Sequence, residues 1–114
     1  MTEQEILDGN KLIAEFMEFK KFSKSHYECN IANGSYLLPP FAMQFHTSWD
    51  WLMPVVEKVD QTGASVIIGR MFCEIKYIDP LDENKTFDIR IASGVKINAV
   101  NGALIEFIKW YNEK

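Results

Sequence analysis

Residues 45–59 read Phe-His-Thr-Ser-Trp-Asp-Trp-Leu-Met-Pro-Val-Val-Glu-Lys-Val, and this stretch decides the fold. Spacings of i, i+3, i+7 and i+10 place four apolar side chains on one helical face: Trp49, Leu52, Val56 and Val59. Thr47 or Ser48 can cap the start of this helix, and Asp50 falls in its first turn, where unpaired N–H groups favour negative charge. The stretch therefore predicts a central core helix.

Pro54 lies well inside this predicted helix. Proline lacks a backbone donor and its ring crowds the carbonyl four residues earlier, here that of Asp50, so we expect a kink or a restart of the helix. Gly63, in the sequence Gln-Thr-Gly, is predicted to end the helix, because glycine accepts the left-handed conformation common after a helix C-terminus.

The chain before the central helix divides into a helix and a long irregular segment. Thr-Glu-Gln-Glu at residues 2–5 is a capping-box pattern, and the first helix is expected to end near Phe19. From residue 20 to 45 the helical period is lost, while Asn33-Gly34 predicts a turn and Pro39-Pro40 an extended path. A loop of this length indicates either a functional segment or secondary structure that the pattern does not reveal.

Strands and a last helix are predicted after Gly63. Apolar residues open a strand at 66–68, Gly69 is a candidate bulge, and residues 71–77 alternate with a period of two. Residues 79–84 form a polar hairpin connection to a return strand with alternating apolar residues: Phe87, Ile89 and Ile91. The last helix carries an apolar stripe: Ile97, Val100, Leu104, Phe107, Ile108 and Tyr111.

These elements, together with the length and composition of the chain, predict one α+β domain spanning residues 1–114. The chain is 47% apolar and 25% charged, the profile of a globular protein. Three amphipathic helices can cover a small antiparallel sheet on both sides. The net charge of −4 argues against a nucleic-acid partner, and no stretch is long enough for a membrane span. Two cysteines and an acidic start without a signal-peptide pattern predict a cytoplasmic protein.

Few residues are candidates for chemistry. His46 and Asp50 are four apart and can share a helix face, as a polarised base or half of a metal site, but packing of His46 beside the helix entry is the favoured interpretation. His26 and Cys29 form a lone His-x-x-Cys, which favours loop packing. Cys73 alternates with buried positions and is interpreted as an inert core thiol.

The aromatic residues give the best prediction of a ligand site. Trp49 belongs to the predicted core stripe, and Trp51 lies about 200° around the helix, so both cannot face the same core. One of them must be partly exposed or covered by the long loop. We therefore predict a stacking pocket in which Trp51 meets Tyr36 and Phe41 of that loop, with His46 and Asp50 nearby. Plain core packing is the alternative.

Three segments of the chain resemble a group of small uncharacterised proteins of bacteriophages and mobile elements, especially of the Bacteroidota. They are residues 10–17 (Asn-Lys-Leu-Ile-Ala-Glu-Phe-Met), 48–58 (Ser-Trp-Asp-Trp-Leu-Met-Pro-Val-Val-Glu-Lys) and 103–112 (Ala-Leu-Ile-Glu-Phe-Ile-Lys-Trp-Tyr-Asn). More distantly, the chain is similar to the phage ABA sandwich domain, which implies an α-β-α sandwich. The resemblance implies no particular activity. Asn98, Asn101 and Gly102 depart from the better helix formers of the relatives, and a close helix–sheet contact is one explanation for Gly102.

The sequence lacks the P-loop, dinucleotide-binding, zinc-protease and serine-hydrolase motifs, which favours a non-catalytic role with neither cofactor nor metal. We expect a phage- or prophage-encoded accessory protein that binds a host protein, its own copy or a small ligand such as a nucleotide. One alternative is a small enzyme using His46 and Asp50 with loop residues. Another is a structural or virion protein that forms a homo-oligomer, in which Trp110, off the main stripe of the last helix, is the predicted interface residue.

Overall fold

The computed structural model describes residues 2–114, which contain three α-helices, six β-strands and one short 3₁₀ helix. The α+β class is confirmed. The elements, in chain order, are α1 (Glu3–Phe16), β1 (Lys20–Lys21), β2 (Tyr27–Ile31), β3 (Gly34–Leu38), the 3₁₀ helix (Pro40–Ala42), α2 (Trp49–Gln61), β4 (Ser65–Ile68), β5 (Phe72–Asp79), β6 (Asp82–Ala92) and α3 (Lys96–Glu113). Within residues 2–114, no helix has both the length and the apolar character needed to cross a membrane.

The strands form two separate antiparallel sheets of three strands each, in the orders β1-β2-β3 and β4-β5-β6. The first sheet lies in the segment that the sequence predicted to be a loop, so that prediction was wrong over β1 to β3. A turn is found beside the predicted dipeptide Asn33-Gly34, but its two turn residues are Ala32 and Asn33, and Gly34 begins β3. Ile31 pairs with Gly34, and both Ala32 and Asn33 have positive φ, which is typical of a two-residue type I′ hairpin turn.

Helix α1 begins as its capping box predicts, since the Thr2 hydroxyl accepts a hydrogen bond from the Glu5 N–H at 3.1 Å. It ends at Phe16 rather than near Phe19, because the chain turns through Glu18, which has φ 60°. Gly9 permits close packing on α3, where a Cβ atom would lie 2.7 Å from Cδ1 of Ile105. The glycine is therefore part of the helix–helix contact.

Helix α2 runs without interruption from Trp49 to Gln61, so the restart expected at Pro54 does not occur. Asp50, whose carbonyl loses its helical partner at Pro54, lies on the exposed side of the helix, where water can hydrogen-bond to that oxygen. Gly63 ends α2 as predicted. Its φ is +101°, and its N–H bonds to the Asp60 carbonyl at 3.0 Å.

The second sheet packs one face against α3 and leaves the other exposed. Cys73 and Ile75 are fully buried on the inner face, while the outer face of β5 and β6 mixes charged side chains with apolar ones: Glu74, Lys76, Asp88 and Arg90 with Phe72, Ile78 and Ala92. Gly69 is not a bulge but begins the β4–β5 turn, with its N–H bonded to the Phe72 carbonyl at 2.8 Å. The register shift lies between Ile78 and Asp79.

An aromatic cluster forms the contact between the second sheet and α3. Phe107 is fully buried at its centre. Its ring centroid lies 5.5–6.2 Å from those of four neighbours: Tyr77, Phe87, Trp110 and Tyr111. Aromatic pairs at such separations add stabilisation to that of the buried area.

Asp79 holds the β5–β6 turn and makes stability depend on pH. Its carboxylate accepts hydrogen bonds from the Leu81 N–H at 2.9 Å and from Lys114 Nζ at 3.0 Å, and these contacts lower the pKa of Asp79. Because the folded-state pKa is below the unfolded one, the stabilisation is present above the unfolded pKa of about 4 and is lost as the pH falls through the folded pKa.

We therefore expect the stability advantage of the wild type over Asp79→Asn to be constant near neutral pH and to shrink in acid. Urea unfolding of both proteins from neutral to strongly acidic pH measures this difference. Asp60→Asn removes the same charge at an exposed position on α2 and is the matched control. An advantage over Asp79→Asn that persists unchanged into strong acid would contradict the assignment.

Candidate ligand-binding site

The structure separates the aromatic residues of the predicted site into two places. Trp51 is 5% exposed and packs between Tyr36 of β3, with ring centroids 6.0 Å apart, and Phe45, at 5.3 Å. The segment before α2 therefore covers Trp51, as expected for one of the two tryptophans. Trp49 is 37% exposed, so its assignment to the core stripe was wrong. Tyr36 and Trp51 form a packing contact, apart from the cleft described next.

Phe41 and His46 line a cleft of about 550 Å³ against the first two turns of α1. Phe41 belongs to the 3₁₀ helix and is 76% exposed, while His46 lies in the turn that leads into α2. Four residues of α1 complete the lining: Glu3, Gln4, Ile6 and Leu7. Sequence reasoning identified Phe41 and His46 but not these four, because nothing in α1 alone indicates what packs beside it.

Asn10 fixes this arrangement. Its side chain is buried, and its Nδ2 donates hydrogen bonds to the carbonyls of Pro40 at 2.9 Å and Met43 at 3.2 Å. These bonds attach the 3₁₀ helix to α1. Phe45, fully buried and stacked on Phe19, anchors the chain immediately before His46. One wall of the cleft is therefore rigidly positioned by buried neighbours.

His46 has an unusual environment. Its Nδ1 atom is buried and has no hydrogen-bond partner within residues 2–114. Buried polar atoms normally have a partner, and leaving one unpaired costs about 1–3 kcal/mol. Asp50 is exposed on α2 and does not bond this nitrogen, so the two side chains do not form the His–carboxylate pair considered from the sequence.

The two cysteines are buried and do not form a reactive pair with either histidine. Cys29 and Cys73 are both fully buried, and burial raises the pKa of each thiol to about 11. His26 Nδ1 lies 2.8 Å from the Ser25 hydroxyl oxygen at an exposed position. Across residues 2–114, no three His, Cys, Asp or Glu side chains are placed to hold a metal ion. The enzyme hypothesis requires loop residues to meet the His46 side chain, and no hydrogen bond within residues 2–114 joins them to it.

A second cleft, of about 650 Å³, lies along the contact of α1 with α3, beside the end of β6. Its apolar lining consists of Leu12, Ile91 and Ile105, with Gly9 and Gly102 between them. A Cβ atom on Gly102 would lie 3.4 Å from Cδ1 of Ile91, an ordinary van der Waals contact, so the helix–sheet contact considered for this glycine does not by itself require it. The charged residues at this cleft are Glu5, Asp8, Glu106 and Lys109.

Trp110, the predicted interface residue, is half-buried on α3. Its ring centroid lies 5.4 Å from that of Phe87 on β6 and 5.5 Å from that of Tyr77 on β5. Trp110 therefore lies near the edge of the second sheet that is formed by β6.

Comparison of the chain with models of known protein families, with curated proteins and with solved structures finds no match.

Proposed function

We propose that this chain is a non-catalytic binding module, encoded by a phage or prophage and acting in the host cytoplasm, and that its ligand occupies the Phe41–His46 cleft. The resemblance of residues 10–17, 48–58 and 103–112 to phage and mobile-element proteins supports the origin. The His46 imidazole carries the binding proposal: the half-buried ring lines the cleft, and its buried Nδ1 atom has no partner in the described chain. A rotation of the ring that presents this atom to a polar group of the ligand would remove the cost of leaving it unpaired.

Phe41 supplies the second recognition element. A ring that is 76% exposed beside a cleft offers an open π-face on which a flat ligand can stack. Stacking on Phe41 together with a hydrogen bond to His46 would select a flat ring that carries a polar edge. Nucleobases combine these two features.

The charged residues that line the Phe41–His46 cleft indicate the charge of the ligand that it would bind. Apart from the imidazole, Glu3 is the only ionisable side chain among the described lining residues, and neither lysine nor arginine contributes. Among the described lining residues, a phosphate group would face the Glu3 carboxylate with only the N-terminal turn of α1 to offset the repulsion. The ligand is therefore a neutral or cationic ring compound, such as a nucleobase or nucleoside, rather than the nucleotide first considered.

The test is a titration of the labelled protein with adenine, guanine, cytosine, uracil, their nucleosides and AMP, followed by NMR chemical shifts. We expect saturable shifts at Phe41, His46 and α1 with one base or nucleoside. Phe41→Ala should then weaken binding about tenfold or more, since loss of one base–aromatic stack costs about 1–3 kcal/mol. His46→Leu should weaken binding as well.

Phe22→Ala is the matched control. Phe22 is 67% exposed, in the connection between β1 and β2, and does not line the cleft, so this variant should bind like the wild type. The absence of saturable shifts with every probe would reject the proposal, as would equal losses in Phe41→Ala and Phe22→Ala. Tighter binding of AMP than of adenosine would contradict the argument from charge.

A second candidate function is that of a structural protein assembled from identical copies. One observation favours it: β6 lies at the edge of the second sheet, with the half-buried Trp110 packed on its Phe87.

A further inference from the structure

Strand β6 leaves one long edge of the second sheet open. It has eleven residues, and in the described part of the chain it pairs with β5 alone. The Ser93 N–H donates to the Met71 carbonyl, so the odd-numbered residues of β6 direct their amide groups toward β5. The even-numbered residues direct theirs to the open edge: Thr86, Asp88, Arg90 and Ala92. This edge can hydrogen-bond to another strand.

The charges along this edge are complementary to themselves. In an antiparallel pairing of β6 with a second copy about a twofold axis through Ile89, Asp88 lies opposite Arg90 of the second copy, and Arg90 lies opposite its Asp88. An axis through Asp88 or Arg90 would instead place like charges opposite each other. Pairing about Ile89 also joins even-numbered residues to even-numbered ones, as the open amide groups require.

The inner side of the same edge is apolar and incompletely covered. Phe87, Ile89 and Ile91 are half-buried, and Trp110 packs on Phe87. In the pairing about Ile89, Phe87 of the second copy lies opposite Ile91, beside the cleft between α1 and α3. Lys85 of the second copy lies opposite Ser93, near the carboxylates of Glu5 and Asp8 in that cleft. Both sides of the edge therefore match a second copy.

We propose that a second copy of this chain binds along the open edge of β6, antiparallel and centred on Ile89. The β4-β5-β6 sheets of the two copies then form one continuous six-stranded sheet. Edge addition uses main-chain hydrogen bonds for affinity and side-chain pairs for register. The dimer does not depend on the ligand proposal, because the residues that line the Phe41–His46 cleft do not include any from β6.

The experiment measures the molar mass of the full chain by sedimentation equilibrium, for the wild type and for two charge variants. We expect the wild type to be a dimer. Asp88→Arg places arginines opposite each other on both sides of the axis, and Arg90→Asp places aspartates there, so each variant alone should be a monomer. An equimolar mixture of the two variants restores opposite charges at every pair and should be a heterodimer.

Asp60→Arg makes the same change of charge as Asp88→Arg at an exposed position on α2 and should remain a dimer. Circular dichroism checks that each variant is folded. If a charge variant fails to fold, Thr86→Pro replaces it, because the Thr86 N–H faces the open edge and the intramolecular ladder does not use it. This variant should be a monomer.

Several outcomes would overturn the proposal. A wild type that stays monomeric at all concentrations would show that a second copy does not occupy the edge. Dimeric charge variants, or a mixture that stays monomeric, would exclude the register about Ile89. A Thr86→Pro variant that remains a dimer would exclude β6 as the interface.

Discussion

Phe107→Ala is expected to lower the free energy of unfolding by about 3–5 kcal/mol, the usual cost of removing a buried aromatic side chain. The ring is fully buried and packs against four aromatic neighbours, two from the second sheet and two from α3 itself. These neighbours are large and hold one another in place, so the space left by the ring cannot close. Domains of this size are stable by about 5–15 kcal/mol, and the variant would therefore lose a large share of the total.

Urea unfolding followed by circular dichroism measures the loss for Phe107→Ala. Phe22→Ala removes the same side chain at a position that is 67% exposed and should change stability by about 0.5 kcal/mol or less. A loss below about 1 kcal/mol for Phe107→Ala would mean that this cluster does not hold α3 on the sheet.

Asn10→Ala is expected to lower the free energy of unfolding by about 1–3 kcal/mol. The substitution leaves the buried Met43 carbonyl without a donor, at a cost of about 1–3 kcal/mol, and takes one of two donors from the Pro40 carbonyl, which keeps the Met43 N–H at 3.2 Å. Better helix propensity offsets part of the loss. Detachment of the 3₁₀ helix from α1 should also broaden NMR signals at Phe41 and His46. Asn112→Ala, at an exposed position on α3, is the matched control and should be nearly neutral.

Asn10→Asp separates hydrogen bonding from packing. An ionised carboxylate has no hydrogen to donate to two carbonyl oxygens, whereas a protonated one has. Its folded-state pKa would therefore lie above the unfolded value of about 4, and the penalty relative to the wild type should grow as the pH rises from acid to neutral. The penalty of Asn10→Ala should not change with pH in this way. Identical pH profiles for the two variants would contradict the role given to Nδ2.

The three helices were predictable because each carries a long apolar period. The last helix shows this best, since Val100, Leu104, Phe107 and Ile108 are all fully buried as the stripe predicts. The end of α1 was harder to predict, because the left-handed conformation after it falls on Glu18 and not on a glycine. Pro54 was misleading for a related reason: the cost of a proline depends on whether water can reach the freed carbonyl, which is a property of the folded surface.

The first sheet was missed although its sequence contains a signal. Tyr27, Cys29 and Ile31 alternate with polar residues and are all buried, and the turn at Asn33-Gly34 follows them directly. Three alternating residues beside a strong hairpin dipeptide are enough to predict a strand. The partner strand β3 gives less warning, because its middle residues are exposed and its pairing is set by the turn.

The exchange of roles between Trp49 and Trp51 could not have been predicted from α2 alone. The buried residues Leu52, Val55, Val56 and Val59 define the middle of the helical stripe, and the two tryptophans lie about 80° from it on opposite sides. Helical geometry thus treats them alike. Tyr36 and Phe45 decide between them, because both pack on Trp51.

The Phe41–His46 cleft was only half predictable for a comparable reason. The sequence draws attention to an aromatic residue and a histidine in an irregular segment, but the opposite wall comes from α1, joined through a hydrogen bond between residues thirty positions apart. Contacts of this separation leave no periodic trace in a single sequence. The prediction therefore included Phe41 and His46 of the irregular segment but none of the lining residues of α1.

The consecutive order of strands within each sheet has a consequence for how the chain folds. Every strand pairs with its neighbour along the sequence, so the loops closed by strand pairing are short and lose little entropy. The contact of α1 with α3 brings residue 9 beside residue 105 and closes almost the whole chain at once. Both meanders can therefore form early and independently, and the rate of folding should be set by the docking of α1, whose amides should exchange with solvent before those of α2 and α3.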